Sequence, residues 1–573
     1  MSKVIFASHS RWCQPGTFND DAAASPAATC AAGTGAAPSA ADAKSPAGDK
    51  SPADNPIQQW WASAPNSNQP HAPLPTSPEQ VGQWAHKQAG QWSGVVVTKS
   101  GALLSSDMPR SFPLLYRYVA GTWLVSDDPQ VLIDAAPTSW DATGRLQFRH
   151  GAYTLGTRTL LKGIYQLPAA SSVELIDGDP TPHVHPWKAL RYHQRITDEP
   201  TFRQLFTQAL EQAVERVVKL TQGRRLAVPL SGGLDSRLIL SLLKLAGASD
   251  VVAFTYGTAS SREAKISQQV AQSLDVPWYF VELSEAKVRQ AWQAEGGAFI
   301  RNAWAGASLP HYQDWYALRE LTSTGVLPAG TVILPGHTIV GNLHGQQLLD
   351  PSQTPMSRKD WVELLAHQHL NLQGQQDLVA ALAPIRKPLL EAVDELLTVD
   401  TLDARQSLIE WFNVRERQAK YINHSMRAYE HFGLDWALPM LDLEVIEVWE
   451  RGGLAFTDEE RIWYKNLIAQ IYARVSGTQP QLYAAGVNAI PAAPRRAAIK
   501  VLSTLRLDKA VSSLLTTRVQ LRHPMAFQAL LPAGSAVTYA PQLFKGRSLN
   551  GIFADLFLAD TWAADSNVFT EVI

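Results

Sequence analysis

Residues 231–236 read Ser-Gly-Gly-Leu-Asp-Ser, between the apolar run Leu-Ala-Val-Pro-Leu at 226–230 and the helical text Arg-Leu-Ile-Leu-Ser-Leu-Leu-Lys-Leu. Gly232 and Gly233 let the backbone turn tightly and approach a ligand with no Cβ in the way. The amides that follow Leu234 open a helix and point at the same spot, which suits a phosphate. Ser231 and Ser236 add hydroxyl donors for phosphate oxygens, whereas Asp235 would repel a phosphate unless a cation lay between them. Mg²⁺ is the natural cation, because it takes oxygen ligands shared between a carboxylate and phosphates. A glycine-rich turn with Asp235 capping the helix is the plainer alternative. Capping accounts for the acid and leaves the paired glycines and flanking serines unexplained. The usual P-loop fits poorly, since its Lys-Ser/Thr is absent here.

Elements on both sides must hold this bend in place. Phe202, Leu205, Phe206, Ala209, Leu210, Ala213, Val214, Val217 and Val218 recur at helical spacing upstream of it. Downstream, DVVAFTYG, REAKISQQVAQSL and PWYFVEL read as strand, helix and strand, so the alternation predicts a doubly wound parallel sheet. In such sheets ligands bind beyond the carboxyl ends of the strands, where SGGLDS falls. Before residue 196 the text changes to short β-rich runs separated by glycine-containing turns, which predicts a mainly β unit with a few helices. Residues 20–56 are almost entirely Ala, Ser, Pro, Gly and Asp, too poor in apolar surface to offset ordering entropy, and are expected to be a disordered insert. Helical texture dominates from about 360 to 475.

At 573 residues the chain calls for two or three domains. Lys+Arg at 50 against Asp+Glu at 52 lacks the basic excess of a nucleic-acid binder. No apolar run reaches the length of a membrane span, and MSKVIFASHSRW has no signal-peptide core, so the expectation is a cytoplasmic protein with neither nucleic-acid nor membrane partner. Cys13 and Cys30 are too few and too poorly spaced for a disulfide framework or thiolate metal site.

SGGLDS resembles the pyrophosphate loop of the ATP pyrophosphatases, and its continuation is similar to the synthetase domain of the asparagine synthetase family. The stretch from Asp250 to Leu283 resembles the second strand and helix of that family, and RERQAKYINHSMRAYEHFGLDWALPMLDLEVIEVW its later helical region. The resemblance implies an adenine-nucleotide α-hydrolase-like α/β domain over 197–495. An α+β Ntn-hydrolase-like, glutaminase-type domain would precede it over 1–196, and a C-terminal extension packed on the synthetase domain would follow over 496–573. It implies ATP and Mg²⁺, with Ser231, Gly232, Gly233, Leu234, Asp235, Ser236 and Gly336 around the phosphates, Asp235 on the metal, and the backbone of Thr255, Tyr256 and Gly257 at the adenine. The reaction implied is adenylation of a small-molecule or peptide carboxylate, release of pyrophosphate, and attack by ammonia from glutamine, free ammonia or a substrate amine. Aspartate, a sugar uronate and a substrate's own amine remain open as reactants, as do a nucleotide-binding scaffold without turnover and a homodimer.

Two departures qualify the resemblance. The family's amino-terminal nucleophilic cysteine is replaced by Met1-Ser2, and its Arg-Gly-Pro-Asp segment is missing, so glutaminase chemistry is expected to be lost while the fold survives around Asp107 and Arg110. The second phosphate-side loop reads TVILPGHTIVGNLHG, with His337 and Val340 where the family has acids. PGHTIVGN resembles the form found in asparagine-synthetase-like proteins of surface-polysaccharide clusters. His337 could stabilise developing negative charge, pass a proton near neutral pH, or be a satisfied turn histidine.

Arg417 and Lys420 lie three apart on a predicted helix and could both reach a phosphate or the substrate carboxylate, or could form a solvated helix face. Asp435 and Asp442 are expected to orient helices. Lys465 is the nearest basic candidate beyond them. His183 and His185 share a strand face without a third ligand, and His367 and His369 do not converge. Trp60 and Trp61 are expected to pack or to dock on a partner.

Overall fold

Apolar residues alternating with polar ones before residue 187 pair as two sheets. Strands β1 (Val4–Ala7), β2 (Gln58–Ala64), β3 (Gln91–Thr98), β4 (Gly101–Ser106), β5 (Leu115–Val119), β6 (Thr122–Ser126), β7 (Ile164–Gln166), β8 (Ser171–Ile176) and β9 (His183–Pro186) make a four-stranded sheet ordered β1-β6-β5-β7 and a five-stranded sheet ordered β2-β3-β4-β8-β9. Every pairing is antiparallel except β1 with β6. Val95, Leu104, Tyr116, Trp123 and Val173 fill the space between the sheets. A second cluster around Trp61, Trp84 and Trp92 covers the far face of the five-stranded sheet. The strand period divides the tryptophan pair: Trp60 leans on Phe6 at 4.9 Å and Trp61 stacks on Trp92 at 5.9 Å, so both pack. This computed structural model describes residues 4–7, 12, 58–65, 72–193, 195–259, 261–340, 349–456, 461–477, 508–532, 536–570 and 572. Ser2, both cysteines and the segment expected to be a disordered insert lie outside them.

The second half follows the predicted alternation. The helix Glu199–Leu220 buries Phe202, Phe206, Ala209, Leu210, Ala213, Val214 and Val217, and Asp198 caps it by accepting from the Thr201 amide. Strands β10 (Leu226–Pro229), β11 (Val251–Gly257), β12 (Trp278–Glu282), β13 (Val332–Ile333) and β14 (Asp435–Trp436) form a wholly parallel sheet ordered β12-β11-β10-β13-β14. The chain moves outward from β10 to one side through β11 and β12, then returns to its other side with β13. The end of β10 is therefore the switch point where such sheets open a crevice, and SGGLDS follows directly. No helix among the described residues is long and apolar enough to cross a membrane.

The two halves meet along a polar seam. Gln91 Nε2 donates to Leu438 O at 3.1 Å and its Oε1 accepts from the Leu438 amide at 2.9 Å. Asp442 takes the Gly90 amide at 3.0 Å and Arg216 at 3.2 Å, and Asp435 takes Arg224 at 2.9 Å, so both acids orient elements as expected. Residues Asn413–Ile422 wind as a π-helix, followed by a 3₁₀ turn at Asn423–Ser425. On this segment the fully buried Lys420 ammonium donates to Thr154 O at 2.9 Å, Gly156 O at 2.8 Å and Glu416 Oε2 at 2.6 Å. Burial lowers the Lys420 pKa to about 8 against the pull of Glu416. The carboxyl-terminal helices reach both halves: Arg149 pairs with Asp555 at 2.6 Å, while Arg289 donates to Leu531 O at 2.6 Å.

Removing one partner of a buried ion pair leaves an uncompensated charge, at a cost of about 3–5 kcal/mol. Lys420→Met is therefore expected to lower the urea midpoint markedly, and adding Glu416→Gln should recover much of the loss. A single variant with an unchanged midpoint would show that the seam does not hold the halves together.

Candidate active site

β10 ends at Pro229, and the next residues close upon themselves. The Ser231 amide donates to Ser236 Oγ at 3.1 Å, the two serine hydroxyls lie 3.2 Å apart, and the Gly233 amide donates to Ser231 Oγ at 3.1 Å. The helix Asp235–Leu245 then begins with Leu234 at its N-cap and no side-chain cap. Asp235 is thus the first helical residue and not the cap. Its Oδ1 accepts instead from Tyr464 OH at 2.8 Å and Arg461 Nη2 at 3.3 Å. Burial raises the Asp235 pKa, opposed by Arg461 and Tyr464.

Gly336 is required for a steric reason: a Cβ there would lie 2.7 Å from the Ser236 amide nitrogen and 3.0 Å from the Asp235 carbonyl carbon. The loop after β13 can therefore lie flat against the start of the helix. Val340 is buried, and its carbonyl accepts from Arg461 at 3.2 Å, so this loop contributes backbone where the sequence comparison anticipated an acid.

These pieces enclose a cavity of about 270 Å³. Of the residues singled out from the sequence, Ser231, Asp235, Ser236, Thr255, Tyr256, Gly336 and His337 line it. Thr255 Oγ1 donates to Leu230 O at 2.6 Å, tying the ends of β10 and β11 together. Glu263, His311, Gln313, Asp314, Ser425, Tyr429 and Met525 also line it. Asp314 accepts from Tyr256 OH through one oxygen and from Tyr429 OH at 2.7 Å through the other. Burial first, then the Asp314 carboxylate, raises both phenol pKa values well above 10, so both stay neutral donors.

His337 is pushed down to about 3 by burial, then by neighbouring His311, against a hydrogen bond with Asn423. Burial also lowers His311. Both imidazoles are therefore neutral at physiological pH, and each Nδ1 is buried without a hydrogen-bond partner. A neutral His337 can orient a ligand or donate one hydrogen bond.

Arg417 and Lys420 are not brought together here. Lys420 is consumed by the seam, because π-winding departs from the 3.6-residue period that would place the two on one face. Arg417 is exposed and makes no hydrogen bond or ion pair among the described residues, though its charge acts on His311. Lys465 does not line the cavity; its helix presents Arg461 and Tyr464 instead. Asp107 and Arg110 lie in the β4–β5 turn, where Asp107 takes the Trp92 and Ser111 amides and Arg110 donates to Leu167 O at 2.8 Å. His183 and His185 each face an acid, Asp179 at 3.3 Å and Glu174 at 3.9 Å. Among the described residues no group of three or more His, Cys, Asp or Glu could hold a metal alone.

Residues 205–451 match the model of the family described as Asparagine synthase. The family expected from SGGLDS is thus the one found. No curated protein matches the chain. Similar solved structures include an NH3-dependent NAD synthetase from Campylobacter jejuni, at 13% identity, covering 34% of this chain and 93% of that one with a TM-score of 0.20. An NMN synthetase from Francisella tularensis is 12% identical, over 39% of this chain and 97% of that one, with a TM-score of 0.21.

Because the folded pKa of His337 lies below the unfolded value of about 6.5, the unfolded chain binds the extra proton between the two. The contribution of His337 is complete above pH 6.5 and is lost as pH falls. The melting temperature should drop between pH 7 and 5, with a shallower slope in His337→Gln; equal slopes would contradict a neutral buried imidazole. Gly336→Ala should impair ligand binding at the cavity more than Gly82→Ala, where the added carbon would meet other atoms only at 3.6 Å and beyond.

Proposed function

We propose, from the premise that residues 205–451 form an asparagine synthase-family domain, that this chain is an ATP-dependent ligase that joins a carboxylate to an amine. The observation that carries the reading is convergence at the end of β10: serine hydroxyls, an uncapped helix start and the Asp235 carboxylate meet the Gly336 backbone in one cavity. Backbone amides and hydroxyls there suit the pyrophosphate part of ATP, the leaving group whose charge must be held.

The donor set fits Mg²⁺. Both hydrogen bonds to the Asp235 side chain land on Oδ1, and Glu263 lines the same cavity, so these two would hold the ion together with phosphate oxygens. When bound, it would neutralise phosphate charge and polarise the α-phosphorus. Arg461, already on Asp235, adds a fixed positive charge beside the same phosphates. A substrate carboxylate oxygen then attacks the α-phosphorus; the new O–P bond forms as the bond to pyrophosphate breaks. An amine nitrogen next attacks the acyl carbon, the C–N bond forms, AMP leaves with the C–O electron pair, and the amine gives up a proton. Tyr256 and Tyr429, held neutral, each give their single hydroxyl proton to Asp314 and so fix that carboxylate in the cavity wall.

Free ammonia or a substrate amine suits the altered amino-terminal half as nitrogen source, and the protein is read as acting in the cytoplasm. The alternative of a scaffold without turnover draws on Val340 standing where an acid is expected.

ATP–pyrophosphate exchange over a panel of carboxylates tests the reading. Exchange with at least one carboxylate is expected, falling on the order of 10²-fold in Asp235→Asn, comparable with the loss of one preorganised charge-stabilising group. ATP binding without exchange on any carboxylate would favour the scaffold.

A further inference from the structure

Beyond the matched domain, the carboxyl-terminal part of the chain returns to the cavity at Met525. The segment His523–Leu531 crosses the carboxyl end of β11, where Pro524 O accepts the Thr258 amide at 3.0 Å, one residue past the strand. Met525 follows and is one of the residues that line the cavity. Several contacts fix its position. The Met525 amide donates to His523 Nδ1 at 3.2 Å, and the His523 ring stacks on Phe527 at 4.2 Å with 14° between planes. Phe527 meets Tyr312 edge-on at 5.0 Å, and Arg289 ties down Leu531 O.

The lining divides between neighbouring strands. Ser231, Ser236 and Asp235 follow β10 and are polar and phosphate-like, whereas Phe254 and Tyr256 lie on β11, whose carboxyl end is met by Pro524 O beside Met525. A half-buried methionine is polarizable and makes favourable contacts with aromatic rings. A planar base attached to a phosphate chain is the ligand class with this division of chemistry.

We infer that Met525, presented by the carboxyl-terminal extension, forms one wall of the base subsite, so that the extension completes nucleotide recognition for a domain whose family match ends at residue 451. The inference rests on the nucleotide-binding reading above. The extension also supports a second lining residue: Asn550 donates to Tyr421 OH at 3.0 Å and takes the Tyr312 hydroxyl, and the Tyr421 ring lies 5.4 Å from that of His311.

The test is calorimetric binding of Mg-ATP and of Mg-pyrophosphate to the full chain and to Met525→Ala and Met525→Leu, with melting curves for all three. Met525→Ala should weaken ATP about five- to tenfold, as expected for losing one sulfur–aromatic contact and its buried methylenes. Pyrophosphate affinity and the melting temperature should not change, and Met525→Leu should keep most of the ATP affinity. Unchanged ATP binding in Met525→Ala would overturn the inference and leave the ligase reading intact. Equal weakening of both ligands, or a lowered melting temperature with it, would also overturn it, because Met525 would then be structural. A wild-type chain that binds neither ligand would refute the nucleotide reading itself, and this inference with it.

Discussion

The Asp235 carboxylate is the point on which the site turns. It sits at the first residue of an uncapped helix, at the switch point of a parallel sheet, and is raised by burial while Arg461 and Tyr464 restrain it. Arg461 simultaneously holds Val340 O, so one guanidinium joins the loops after β10 and β13. Gly336 lets those loops touch. The Asp235 side of the cavity is therefore set by three chain segments far apart in sequence, and moving any one shifts the others.

The sequence carried most of the scaffold because it is locally encoded. The helical stripe from Phe202 to Val218 and the strand–helix alternation through Glu282 were legible because each element buries an apolar face at its own period. SGGLDS was legible because glycine pairs, hydroxyls and one acid have few joint explanations. What could not be read is what depends on contacts across the chain. Lys420 is drawn into the seam by Thr154 and Gly156, more than 260 residues away, and by π-winding that no hydrophobic period announces. Arg461 and Tyr464 stand beside Lys465, which the sequence offered, and only the packing of that helix decides which of them faces Asp235. His311, Asp314 and Met525 come from segments without a motif.

The amino-terminal half is similarly divided. Its two sheets follow from alternation and turn glycines, and its tryptophans pack as large apolar residues should. Its contribution to the site runs through backbone carbonyls, which leave no trace in residue identity: Thr154 O and Gly156 O receive Lys420, and Pro109 O receives Asn423 Nδ2 at 3.2 Å.

Those carbonyls bear on what the amino-terminal half does for the site. A π-helix is intrinsically less favourable than an α-helix and persists where outside contacts hold it. Here the clamps on Lys420 and Asn423 come from the other half of the molecule. If the turn relaxed to ordinary winding, Ile422, Ser425 and Tyr429 would each rotate by roughly one residue's share of a helical turn, about 100°, and leave the cavity wall. The first half then works as a mould: none of its described residues lines the cavity, yet its carbonyls hold the helix that shapes it.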